Sequence, residues 1–194
     1  TRHYRKLGVA PEYYVPNAGK DPEKANERYR IRGNGLRAFV PDLTPGGWKA
    51  ATHSSQNMTA SSGGLVPEQA GQPGEVVYKI EGANVITSLK IRARFFRSSA
   101  EAQARLSIST ANGLHWREVW RSEQTGETPV ELKLIEEVNG AYEVLVKVSL
   151  QGANRPEDAR LMGLEFETIT MLNSKTQPKL AWGKNTVYLG AGDQ

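Results

Sequence analysis

Lys90, Arg92 and Arg94 stand at every second position of the run from Val85 to Phe96, where Leu89, Ile91, Ala93 and Phe95 alternate with them. In an extended strand such residues share one face, about 7 Å apart. Three cations so placed on a concave sheet meet the carboxylates or sulfates of an acidic glycan, which arginine forks bind bidentately. Arg105 on the following strand extends the stripe. The plain structural alternative is a solvated face whose cross-strand partners are residues such as Glu143 or Glu118.

Sugar rings present C–H groups that stack on aromatic faces, so the four tryptophans come next. Trp48 follows Gly46-Gly47 and Trp182 precedes Gly183, which makes these two the expected exposed platforms. Trp116 and Trp120 are four residues apart in one strand-like run, a parity that predicts packing in the core.

No catalytic residue is assigned. His3, His53 and His115 are far apart and lack metal-ligand spacing, and His53-Ser54-Ser55 is adjacency without a triad. Glu136-Glu137 and Glu165-x-Glu167 are paired carboxylates, but glycoside hydrolysis needs two acids at a defined separation across a cleft. Gly33-Asn34-Gly35 lacks the form of a phosphate-binding loop. Zero cysteines exclude disulfides, thiolate metal sites and thiol nucleophiles.

These side chains need elements to hold them. A chain of 194 residues suits one domain with a substantial core, and 19 glycines and 10 prolines supply the punctuation of a loop-rich β protein. Strand patterns run over Leu36–Val40, Glu75–Ile80, Val85–Phe96, the two arms of Ala104–Trp120, Val130–Ile135, Ala141–Leu150, Leu161–Leu172 and Asn185–Leu189. Ala111-Asn112-Gly113 turns the central hairpin, because Asn-Gly tolerates the positive φ of a tight turn. Trp48–Pro73 is dense in Ser, Thr, Gly and Gln, which predicts long loops with a little strand. The sum is an all-β sandwich of eight or nine strands over residues 37–194, with the jelly roll as the preferred version. Residues 1–36 form a basic, irregular N-terminal segment with one short helix expected at Asp21–Arg30. Residues 1–37 carry nine Lys/Arg and four Asp/Glu, a balance of +5, so the rest of the +4 chain sums to −1.

The hairpin stretch Ser109-Thr110-Ala111-Asn112-Gly113-Leu114-His115-Trp116 resembles the Asp-box, the S-x-D-x-G-x-x-W hairpin of sialidases and many secreted carbohydrate-active proteins. Ser109, Gly113 and Trp116 match it, and Ala111 stands where the pattern has aspartate. A single copy in eight residues argues against a propeller. The run from about Gly74 to Gly192 is similar in layout to the jelly-roll accessory domains of bacterial polysaccharide-active proteins. No cofactor is expected; many such jelly-roll modules hold a structural calcium, and Glu165 and Glu167 are its candidate ligands here if one is bound.

The resulting expectation is a non-enzyme that binds a polysaccharide or oligosaccharide, with an acidic one in view, as an accessory domain of a larger protein. Trp48 and Trp182 would stack and Lys90, Arg92 and Arg94 would pair with charge. The start at Thr1 and the stop at Gln194 suit a processed protein or an excised domain, extracellular or periplasmic, with neighbouring domains as partners. A structural or protein-interaction module comes second, and a polysaccharide hydrolase or lyase third. Nucleic acid comes last, since the bases are not interleaved with aromatics on a recognisable module. No apolar run approaches a membrane span.

Overall fold

The computed structural model describes residues 34–81 and 85–171. The expected helix Asp21–Arg30, the expected last strand Asn185–Leu189 and the turn at 82–84 lie outside the described residues. Eleven strands are present among them. These are β1 (Asn34–Phe39), β2 (Ser54–Gln56), β3 (Met58–Ser61), β4 (Gly64–Pro67), β5 (Gly74–Glu81) and β6 (Ile86–Arg97), followed by β7 (Gln103–Ser109), β8 (Arg117–Arg121), β9 (Gly126–Leu134), β10 (Glu143–Gln151) and β11 (Ala159–Met171). No helix among the described residues is long and apolar enough to cross a membrane.

The strands form two antiparallel sheets. One has the order β3-β4-β11-β6-β9, with β1 also paired to β11; the other is β2-β5-β10-β7-β8. Set β1, β2 and β3 aside and eight strands remain, four per sheet, in the orders β4-β11-β6-β9 and β5-β10-β7-β8. The chain crosses from sheet to sheet at β4–β5, β5–β6, β6–β7, β8–β9, β9–β10 and β10–β11. That wrapping is the expected jelly roll, and among the described residues three flanking strands stand beside its eight. It also explains why the Trp48–Pro73 region is richer in structure than its composition suggests. Leu65 and Val66 of β4 are buried sandwich positions, although only four residues long as a strand.

Alternation decides which side chains enter the space between the sheets. β6 buries Leu89, Ile91, Ala93 and Phe95 and turns Lys90, Arg92 and Arg94 outward. β10 buries Val144, Val146, Val148 and Leu150 on its inner side. Two aromatic contacts cross the core. Phe166 of β11 lies 5.7 Å from Tyr78 of β5, and Phe95 of β6 stacks at 4.6 Å on Trp120 of β8. Fully burying each such side chain contributes about 1.5–3 kcal/mol.

Two details of the frame matter for the face described next. Asp158, 5% exposed, takes N–H bonds from Asn154 and Arg155 and a hydroxyl bond from Ser98, which follows β6. It therefore ties the end of β6 to the start of β11. Those hydrogen bonds, the Arg155 N–H first, hold its carboxyl down to about 2. At the other turn of interest, Gly64 has φ +118 and a Cβ there would meet the Leu161 carbonyl at 2.0 Å, so only glycine lets the β3–β4 turn approach β11.

Candidate functional site

The outward residues of the six-stranded sheet fall into rungs set by strand register. Lys133, Lys90 and Glu167 share one, and Glu131, Arg92 and Glu165 the next. Pro129, Arg94 and Gly163 form the third, and Glu127, Phe96 and Arg160 the fourth. The expected stripe Lys90-x-Arg92-x-Arg94 is therefore one column of this lattice.

Arg92 is the hub. Its Nη1 donates to Glu165 Oε1 at 2.9 Å and its Nε to Glu131 Oε2 at 3.0 Å, while Glu167 lies 3.8 Å away. The hydrogen bond to Glu131, with the charges of Glu165, Glu131 and Glu167 behind it, raises the guanidinium above its ordinary range. Lys90 Nζ lies 3.6 Å from Glu167. Arg94 differs from both. It is exposed and has no carboxylate within 4.0 Å among the described residues. A β-bulge between Leu161 and Gly163 sets a glycine opposite it, and a Cβ on Gly163 would sit 3.4 Å from Arg94 Nε.

Around these two arginines the surface sinks into an open groove of about 620 Å³, bounded by Val40 on one side and Pro129 on the other. Glu131, Glu165 and Gly163 also line it. Sequence reasoning missed Glu131, Pro129 and Gly163. The alternation Pro129, Glu131, Lys133 was available as a signal, but which strand β9 would pair with was not.

Several expected assignments change. Arg105 does not extend the stripe, because β7 belongs to the other sheet and its side chain faces the opposite side of the sandwich. Glu143 and Glu118 are on that sheet too, where they serve Lys79 and Arg121. Trp48 opens a 3-10 turn, is 4% exposed and belongs to the core, so it has no face to offer a ring. The cause is that the turn folds its apolar residue into the core. Trp182 lies outside the described residues.

Trp116 and Trp120 do not share a face either. A register shift at Leu106/Ser107 sets Trp120 opposite Leu106, inside the sandwich on Phe95. Trp116 stays half-buried at the hairpin base, with Lys147 Nζ 4.5 Å from its ring centre. The hairpin tip itself forms as expected, with positive φ at Asn112 and Gly113. Ser109 Oγ accepts the N–H groups of Ala111 and Gly113, supplying the turn acceptor that Ala111 lacks.

The carboxylates of Glu165 and Glu167, the candidate calcium ligands, point at Arg92 and Lys90, and no cluster of three His, Asp or Glu residues able to hold a metal occurs among the described residues. The same contacts leave them turned to cations rather than across a cleft. His53 and His115 are exposed and on different connections.

No protein family matches this sequence, and no curated protein does. Among solved structures the chain is similar to the xylan-binding module CBM15, at 14% identity over 69% of this chain and 97% of that one, with a TM-score of 0.43. It is also similar to the CBM36-1 domain of a multidomain xylanase from the hindgut metagenome of Trinervitermes trinervoides, at 17% identity over 68% and 96%, TM-score 0.38. CBM35 from Cellvibrio japonicus follows at 14% over 69% and 92%, TM-score 0.37.

Proposed function

We propose that the chain is a non-catalytic carbohydrate-binding domain whose ligand lies in the groove over the six-stranded sheet. The observation that carries this reading is a fixed Glu131–Arg92–Glu165 row with the free guanidinium of Arg94 beside it. Sugar hydroxyls both donate and accept. The row offers carboxylate acceptors and guanidinium donors on one sheet face, already oriented by each other, so little side-chain entropy is lost on binding. Val40 and Pro129 give the C–H faces of a ring apolar contact on either flank. Arg94 is the group for a uronate carboxylate, which makes acidic polysaccharides the preferred ligands. The domain serves as an accessory unit of a larger extracellular or periplasmic protein.

Titration calorimetry with soluble neutral and acidic polysaccharides tests this. Binding to at least one is expected, and Arg94→Ala should weaken binding to the acidic ones about tenfold or more with an unchanged melting temperature. Absence of binding to all of them, or acidic binding untouched by Arg94→Ala, would overturn it.

A second reading, a protein-interaction module, is favoured by one observation. Leu36 and Val40, at 65% and 67% exposure, lie on the same outward side of the edge strand β1 and its continuation.

A further inference from the structure

The two outer faces of the sandwich treat their cations differently. On the five-stranded sheet Lys79, Arg105, Arg121 and Lys147 each lie within 4.0 Å of a carboxylate, from Glu81 and Glu143, Glu118, or Glu75. On the six-stranded sheet Lys90 and Arg92 are paired, but Lys133, Arg94 and Arg160 have no carboxylate partner among the described residues. Arg160 lies with its guanidinium carbon 5.4 Å from the centre of the Phe96 ring, and its buried Nε has no acceptor. The carboxylates on the face are Glu127, Glu131, Glu165 and Glu167, of which the last three serve Arg92 and Lys90. Among the described residues five cations on this face thus meet four carboxylates, one positive charge in excess.

Register places the three free cations on a line. Lys133 of β9 is level with Lys90; Arg94 is one strand over and four residues along, and Arg160 one further strand over, level with Phe96. With strands about 4.8 Å apart and about 3.4 Å per residue, the steps are roughly 14 Å and roughly 8 Å. The line crosses the groove diagonally, past Gly163.

We propose that the ligand is a polyanionic glycan that runs diagonally across the six-stranded sheet, its carboxylates meeting Lys133, Arg94 and Arg160 in turn. It does not follow the Lys90–Arg92–Arg94 column, whose first two cations are already neutralised. This inference rests on the carbohydrate-binding reading. Sparse free charge over roughly 23 Å suits one carboxylate per sugar or per disaccharide. A nucleic acid strand carries its phosphates far more densely, and Phe96, capped by Arg160, leaves no open ring for bases to stack on.

The test measures affinity of the whole chain for polygalacturonate, a neutral xylan and single-stranded oligothymidylate, with Lys133→Gln, Arg160→Gln and Lys90→Gln compared. Lys133→Gln and Arg160→Gln should each weaken polygalacturonate binding several-fold and flatten its salt dependence, with xylan affinity unmoved and Lys90→Gln near wild type. Lys133 is exposed, so that variant decides the matter even where Arg160→Gln lowers the melting temperature. Polygalacturonate binding that Lys90→Gln weakens and Lys133→Gln does not would overturn the diagonal path and leave the carbohydrate reading standing. Tighter binding of oligothymidylate than of polygalacturonate would overturn the choice of glycan. Retention of neither polysaccharide would remove the carbohydrate reading itself.

Discussion

Arg92 Nη1 and Glu165 Oε1 meet at 2.9 Å across the β6–β11 pairing, joining strands whose residues are 73 apart in the chain. Arg92 also separates three carboxylates that would otherwise face one another. Arg92→Met is therefore expected to lower the urea midpoint, and adding Glu165→Gln to recover part of the loss. Both side chains are more than a third exposed, so the coupling in this double-mutant cycle should shrink in about 1 M salt. Purely additive effects would argue that the row is not a unit.

Trp48 holds the 3-10 turn against the core. Trp48→Ala is expected to cost about 3–5 kcal/mol in urea unfolding, the range for emptying a large aromatic from a core. Glycan affinity measured on the folded protein should not change. A loss of affinity with little loss of stability would return Trp48 to the role of platform.

Asp158 makes a pH prediction whose sign is fixed. Its folded-state value of about 2 lies below the ordinary 3.8, so its contribution is complete above about pH 4 and is lost as pH falls toward 2. Asp158→Asn should destabilise the domain by about 1–3 kcal/mol at neutral pH, and the gap to wild type should close on acidification. Melting temperatures across that interval check this; a gap that stays constant would contradict it.

Much of the sandwich is legible because two of its long strands, β6 and β10, carry a period of two that places them within a few residues. The face was half legible. Period two put Lys90, Arg92 and Arg94 together, but their partners sit on β9 and β11, and strand pairing between distant segments leaves no local mark. Arg105 and Glu118 lie on the opposite face for the same reason, since the chain changes sheet between β6 and β7. The bulge in β8 defeated parity for Trp116 and Trp120, as one extra residue reverses every side chain beyond it. Trp48 was misread because a glycine-rich neighbourhood suggests exposure while a tight turn can just as well fold inward.

Among the described residues β9 ends the six-stranded sheet, and the backbone groups along its outer side invite a second chain to add itself. Pro129 at its middle lacks an N–H, and Glu127, Glu131 and Lys133 place charge along both neighbouring stretches. Pro129 and Glu131, which line the groove, are thus also expected to disfavour pairing of a second chain at this edge. Replacing Pro129 and its charged neighbours with β-branched apolar residues should turn this edge into a seed for edge-to-edge aggregation.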